Sequence, residues 1–475
     1  MEKNIVVVGG GITGLSAAYY AARLARREGI EPKVTLIEGG ERLGGKIRTM
    51  RRDGFVIERG PDSFLARKRP IIDLSRELGI EGELVALNPA TRKTYILRGG
   101  QLHRIPPGLV LGVPTDWKPF VASKLIGWPG KLRAALDWVL PAARGDADES
   151  LGGFLRRRLG DQVVDFVAEP LLSGIYAGDA DRLSLLATFP QFRAAERKYR
   201  SLMVGLARGA AGEDHLPPHA RGSAFLSYRN GLSTLIERLE AALEEEGAVV
   251  LTGKPVRSVT PRDGTGGAVV TLENGDALLA DAVVVTTPVS ELGRLLPDVP
   301  EAGVFRDMAY ASVANVVLAY RREQVTVPLD GAGFVVPRTE GRLITACTWT
   351  SSKWLHTAPE DRVLIRCYVG RIDDDRWQSM SDDALVAAVR REVAELVGIA
   401  AEPEFSDVTR LPRSMPQYEV GHLDRVHTLR EGLRTKAPGV FAAGAGLEGV
   451  GLPDCIHQGK QAAEQAAAFI RRREA

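Results

Sequence analysis

An α/β fold is what this 475-residue sequence predicts, on three observations. Ile5 to Val8 is a short, continuous β-branched run, as expected of a strand buried on both faces. The glycine-rich run Gly9 to Gly14 follows at once and opens a helix. A second strand, Val34 to Glu38, then ends in an acid.

The helix is expected from Ile12 to Glu28, stopped by Gly29. Leu15, Ala18, Tyr19 and Ala22 recur at i, i+3, i+4 and i+7, which places them on one face. Gly9-Gly10-Gly11-Ile12-Thr13-Gly14 is a G-x-G-x-x-G pattern. Gly9 permits the tight turn, Gly11 lets backbone approach a pyrophosphate, and Gly14 lets helix and strand pack closely. The helix N-terminus offers free N–H groups and partial positive charge to a diphosphate. Glu38 is placed to accept both hydroxyls of a ribose. A lone glycine motif is weak evidence, but here strand, turn, helix, strand and acid come in order. A Rossmann-like dinucleotide-binding unit follows.

The middle of the chain is less regular. Residues 105–145 are rich in Pro, Gly and Trp, with Trp117, Trp128 and Trp138. Residues 150–210 look helical, with a polar break from Gly209 to Gly222. Leu232 to Glu246 reads as an amphipathic helix. Short strands are expected around Val256 and at Val269–Leu272, and Asn274-Gly275 signals a hairpin. Ala282–Thr286, Val313–Tyr320, Leu343–Cys347 and Val363–Val369 read as strands, and Asp382–Val397 as a helix. A last strand, Val440–Ala443, precedes Gly449-Val450-Gly451 and a final helix from Ile456 to Arg472.

Composition excludes several classes. The chain is 44% hydrophobic and 26% charged with net charge +2, so nothing favours a nucleic-acid partner. Cys347, Cys367 and Cys455 are odd in number and widely spaced, against a disulfide framework or zinc site. No basic-then-apolar leader follows Met1, and no window approaches about 18 apolar residues. A cytoplasmic chain is expected, with peripheral attachment at the inner face of the cell membrane left open.

No nucleophile–base pair, metal-spaced cluster or other acid–base machinery is visible, so no catalytic residue and no metal is assigned. Two prolines between His215 and His219 forbid the helix that would bring both rings together. Asp373-Asp374-Asp375 reads as a solvated turn. Chemistry centred on a cofactor fits this lack.

Two further segments single out the cofactor. Arg42-Leu43-Gly44-Gly45-Lys46 follows the acidic strand, and Glu58-Arg59-Gly60-Pro61 comes next. Adjacent glycines followed by a base resemble the second fingerprint of the flavin amine-oxidase superfamily. Ile57 to Phe64, Glu169 to Gly178, Ser414-Met415-Pro416-Gln417-Tyr418 and Gly449 to Ile456 resemble the protoporphyrinogen/coproporphyrinogen oxidase family of haem synthesis. The resemblance runs over essentially the whole chain and is nearest to the soluble-type branch of Gram-positive bacteria.

That resemblance implies an α/β architecture with a Rossmann-like FAD-binding domain of the flavin amine-oxidase superfamily, a mixed-sheet substrate domain and a mostly helical insertion. FAD binding is expected in residues 1–65, 216–295 and 426–475, the substrate domain in 66–110 and 296–425, and the insertion in 111–215. It implies FAD as cofactor, coproporphyrinogen III and molecular oxygen as reactants, hydrogen peroxide as by-product, and hand-over to a ferrochelatase as an option. Protoporphyrinogen IX oxidation, another oxidase of the superfamily, or a non-catalytic flavin- or haem-binding protein are the rival readings.

By motif position, FAD contacts are expected at Gly9, Gly10, Gly11, Ile12, Thr13, Gly14, Glu38, Gly39, Lys46, Gly60, Pro61, Asp62, Ser63, Val256, Gly449, Val450 and Gly451. One position departs from the family pattern: Leu411 stands where Trp is found, which leaves a flavin contact there open. The substrate's propionates call for basic groups at the rim of an apolar pocket. Arg67-Lys68-Arg69 is the best cluster, with Arg69 the residue chosen, and a solvated helix start the equal alternative. Tyr176, Tyr368 and Met415 are candidate walls, or ordinary core. Residues 105–145, with Lys118, Lys124, Lys131 and Arg133, suit a cover over the substrate channel or a membrane interface.

Overall fold

The computed structural model describes residues 3–27, 32–91, 93–209, 215–262 and 266–473. Five parallel strands form one sheet in the order Val249–Leu251, Pro32–Ile37, Lys3–Val8, Ala282–Val285 and Val440–Ala442. Side chains alternate across it. Ile5, Val7, Val34, Leu36 and Val284 meet the helices Ile12–Arg27, Ser233–Glu245 and Leu452–Arg471 on one face. Val6, Val8, Ile37, Val283 and Val285 pack on the other face, against the antiparallel strands Val256–Pro261, Ala268–Leu272 and Ala277–Ala280. Burial on both faces is why these strands are so short and so apolar. Gly275, at φ +92°, closes the expected hairpin. The expected stop at Gly29, and part of the break between Gly209 and Gly222, lie outside the described residues.

A seven-stranded mixed sheet has the order Phe405–Pro416, Tyr310–Arg321, Arg362–Val369, Ile344–Thr348, Gly333–Val335, Tyr95–Arg98 and Gln101–Arg104. Helix Asp382–Val397 covers one face, through Leu385, Val389 and Val393. Phe55 and Ile57, just before Glu58-Arg59-Gly60-Pro61, pack on the other with Val317 and Leu364. The long strand Phe405–Pro416 has no counterpart in the expected elements. Its Pro412 and Pro416 argue against a strand, yet it lies at the sheet edge, where proline is tolerated. Opposite Ser312 its register shifts into a bulge, with Arg413 at φ +44° and its N–H on Ser312 Oγ at 3.0 Å. Leu411 pairs with Val313 just before this bulge.

Helices between Trp117 and Ala207 pack around Phe154, Phe192 and Leu155. Their buried polar knot is Asp137 with Arg158, both side chains fully enclosed. Arg158 Nε donates to Asp137 Oδ1 at 2.5 Å, and Nη2 donates to the carbonyls of Asp137 and Arg200 at 2.6 and 2.8 Å. Asp137 Oδ2 also accepts from Ser201 Oγ and Met203 N, at 2.6 and 3.0 Å. Among the described residues, no helix is long and apolar enough to cross a membrane.

Candidate flavin site

The parallel strands end on a common edge, and the glycine run crosses it. A Cβ added to Gly14 would lie 1.8 Å from Gly9 O, so helix and strand can meet only with glycine there. Gly11 is the opposite case: a Cβ would meet nothing within 4 Å. Open backbone at a helix start, between two tightly packed glycines, is the cradle a pyrophosphate needs. Ile12 and Thr13 form the first helical turn behind it.

Glu38 leaves its strand beside this cradle. Its Oε2 accepts Gly10 N at 2.6 Å and its Oε1 accepts Gly40 N at 2.7 Å. Gly39 packs against Pro255, and Lys254 N donates to Glu38 O at 2.9 Å, which brings Val256 to this end of the sheet. The second glycine pair is tied to the first, since Gly44 N donates to Gly10 O at 2.8 Å.

Lys46 follows. Burial pulls its ammonium below the ordinary lysine value, and Nζ donates to Ser414 O, which the edge-strand bulge presents. Gly60 packs directly on this segment: an added Cβ would be 1.8 Å from Lys46 O. On its other side the mixed sheet grips the run from Arg59 to Ser63. Asn315 Nδ2 donates to Arg59 O at 3.1 Å, Arg366 donates to Gly60 O, and Arg59 pairs with Asp407. Pro61 lies within this grip. Ser63 Oγ donates to Asp62 Oδ1 at 2.8 Å. Burial opposes charge on Asp62, but Lys353 and Arg366 outweigh it and hold the carboxyl at about 2.

Glu58 behaves differently. It accepts from Leu232 N at 2.6 Å and Thr49 Oγ1 at 3.0 Å, but burial dominates and pushes its carboxyl up to about 7. A carboxyl raised on folding stabilises the fold fully below its unfolded value near 4.5 and loses that contribution as pH rises through about 7. Glu58→Gln is therefore expected to flatten the dependence of the thermal midpoint on pH between those values. An unchanged slope in a calorimetric series would show that Glu58 does not titrate there.

The C-terminus completes the site. Its last helix begins at Leu452 rather than at Ile456, with Gly451 as N-cap and Pro453 in the first turn. This correction moves Gly449-Val450-Gly451 onto the helix N-terminus itself, where proline is favoured because its missing N–H is not needed. Asp454 in that first turn receives Lys68 Nζ, at 2.5 and 2.6 Å to its two oxygens. Cys455 lies between Thr13 and Lys46, its thiol pushed up to about 11 by burial. The two ends of the polypeptide thus meet.

The predicted substrate residues divide. Arg69 has a side chain 68% exposed that faces Asp73 at 3.9 Å, whereas Lys68 of the same cluster is the one paired with Asp454. Tyr176 is buried edge-on to Tyr418 at 5.7 Å, and its carbonyl accepts Gln417 Nε2 at 2.8 Å. Burial raises the Tyr176 hydroxyl, with Asp454 adding to it. Met415, half-buried, pairs with Ala311 across the bulge. Tyr368 is half-buried under the Arg366 guanidinium, 4.8 Å from its ring centre, with its hydroxyl pushed up to about 12 by burial. Lys68, Asp454, Arg366, Asn315 and Tyr418 were not singled out in advance. Lys68, Asp454 and Tyr418 lie inside quoted motifs, but Asn315 and Arg366 sit in strands whose pattern reads only as core.

Residues 105–145 divide in the same way. Lys131 is buried and donates to the carbonyls of Val121 and Ser123, and Arg133 donates to those of Arg156, Arg157 and Arg158. Arg133 is half-buried. Trp128, Leu132, Leu136, Trp138 and Val139 are instead exposed together, with Trp128, Leu132 and Leu136 at helical i, i+4, i+8 spacing.

The family described as flavin containing amine oxidoreductase matches residues 12–467. A coproporphyrinogen III oxidase of Bacillus subtilis (strain 168) is 43% identical over 99% of this chain and 99% of its own. One from Staphylococcus aureus (strain NCTC 8325 / PS 47) is 39% identical over 99% and 100%. The crystal structure of a protein from Exiguobacterium sp. 255-15 superposes with a TM-score of 0.86 at 40% identity, covering 98% of this chain and 99% of that one.

Proposed function

The chain belongs to the flavin containing amine oxidoreductases, and on that footing we propose that it oxidises coproporphyrinogen III to coproporphyrin III. It is an FAD-dependent oxidoreductase, and bound FAD supplies the two-electron acceptor. The observation that carries the substrate is the full-length likeness to two bacterial relatives of that name. Each of three rounds removes a hydride from a meso carbon together with one proton; of the three protons two come from pyrrole N–H groups and one from the fourth meso carbon. Molecular oxygen is the final acceptor and leaves as hydrogen peroxide.

The residues have separate tasks in this reading. Gly9 to Gly14 hold the diphosphate, Glu38, Gly39 and Val256 the adenosine end, and Lys46, Gly60 to Ser63 and Gly449 to Gly451 the ring. Tyr176, Tyr368 and Met415 wall the macrocycle and exclude water. Residues 1–65, 216–295 and 426–475 serve FAD binding, 66–110 and 296–425 the substrate, and 111–215 form the insertion. The parallel sheet, which draws strands from both ends and the middle of the chain, supports this division. Release of coproporphyrin to a ferrochelatase belongs to the same reading.

Anaerobic mixing of the purified holoenzyme with coproporphyrinogen III is expected to bleach the flavin absorbance, and admitted oxygen to restore it. An unbleached flavin would end the substrate assignment. Lys68 is assigned to a propionate in place of Arg69. Lys68→Met should raise KM roughly tenfold, the scale of a charge-assisted hydrogen bond, while Arg69→Ala leaves it unchanged. The reverse pattern would return the role to Arg69.

The exposed Trp128, Leu132, Leu136, Trp138 and Val139 support peripheral attachment to a lipid surface, since amphipathic aromatics and leucines on one face suit a bilayer interface. Co-sedimentation with anionic vesicles is the expected result. Trp128→Ser with Leu132→Ser should release the protein to the supernatant, and recovery of the unaltered protein there would end this reading.

A further inference from the structure

Beneath the Glu58–Ser63 segment lies a small cavity of about 20 Å³, bounded by Glu58, Asp62, Ser227, Trp354, His356 and Arg366. It has room for one water-sized body. Arg366 is 3% exposed and Trp354 2%, yet Arg366 Nε and Nη1 and Trp354 Nε1 have no hydrogen-bond partner. Only Arg366 Nη2 is engaged, on Gly60 O. Buried N–H groups without an acceptor are costly, and three at one cavity call for something to accept them.

The charges point the same way. Arg366 and Lys353 bring two positive charges, and Asp62 returns one negative charge. His356 brings none at neutral pH, because burial, and then Arg229, lower its ring to about 4. Glu58 is faced by Thr49 from its own hairpin, Leu232 N, Arg366 and Asp62. With Glu58 protonated, positive charge is left uncompensated, with Arg229 beside His356 adding to it, around a cavity where the three unpartnered N–H groups stand among apolar walls of Val56, Ile57, Val317 and Leu364. A water accepts two hydrogen bonds and brings no charge, whereas a halide accepts several and brings the missing one.

We propose that this cavity is a binding site for one small monovalent anion of the halide class. The anion accepts from Arg366 and Trp354 and offsets the excess positive charge under the Glu58–Ser63 segment. Ionised Glu58 supplies the same negative charge, so the two exclude one another. Anion uptake is therefore coupled to a proton on Glu58.

Crystals of the FAD-loaded enzyme grown in bromide at about pH 6 should show an anomalous peak in the cavity, within reach of Arg366 and Trp354. Density there without anomalous signal is water, and overturns the proposal. In solution at constant ionic strength, chloride should raise the thermal midpoint above its value in gluconate. The apparent chloride affinity should fall about tenfold per pH unit above about 7. Glu58→Gln should keep binding and lose that pH dependence, and Trp354→Phe should weaken binding several-fold. A pH dependence unchanged in Glu58→Gln, or an affinity unchanged in Trp354→Phe, overturns the site. None of these readouts needs the porphyrinogen, so a failed turnover assay leaves the site standing.

Discussion

Gly11→Val is expected to yield a folded, colourless protein. A Cβ added at this position meets no atom within 4 Å, so the packing of helix and strand is left intact. The same side chain fills the space through which backbone N–H groups approach the FAD pyrophosphate. Losing one or two charge-assisted hydrogen bonds costs about 3 kcal/mol, roughly a hundredfold in affinity. The flavin absorbance after gel filtration and the circular dichroism of the apoprotein together check this. Gly14→Val is the contrast: its Cβ would sit 1.8 Å from Gly9 O, so it should damage the fold as well as the site. A yellow Gly11→Val protein would place the diphosphate elsewhere.

Asp137→Ala should give the largest loss of stability. It removes the nearer carboxylate from a fully enclosed guanidinium, leaving Glu196 at 3.5 Å, and also strands Ser201 Oγ and Met203 N. Removing one partner of a buried ion pair costs about 3–5 kcal/mol. That corresponds to a thermal midpoint lower by roughly 10 °C in the helical region. Asp137→Leu combined with Arg158→Met should recover much of it, because the buried guanidinium that lost its nearer partner is gone and Glu196 keeps Arg157. Calorimetry of the two variants side by side decides the matter. If the double variant were no better than Asp137→Ala, packing rather than charge would set the cost. No motif marks Asp137, since an acid near Trp138 reads as surface until Arg158 is brought against it.

Much of the fold was legible because its signals are local. The β-branched strands, the helix periodicity of Leu15 to Ala22 and the turn at Asn274-Gly275 depend only on near neighbours in sequence. The glycine segments were legible for the same reason: each is read within a few residues. Strand Phe405–Pro416 was not, because its prolines are allowed only by its place at a sheet edge, and that place is set by Tyr310–Arg321. The start of the last helix at Leu452 was missed because a proline and two glycines read as loop.

By itself, then, the sequence determined the α/β class, the glycine cradle, the acid beside it and the family of flavin chemistry. These rest on backbone geometry that glycine, β-branched residues and helix spacing impose locally. Tertiary structure alone decided that Lys68 rather than Arg69 faces Asp454, that Arg366 clamps Gly60, and that Glu58 sits where its charge is unwelcome. Such assignments depend on which distant side chains share a low-dielectric space, and neither direction nor burial of a side chain is written in its immediate neighbours.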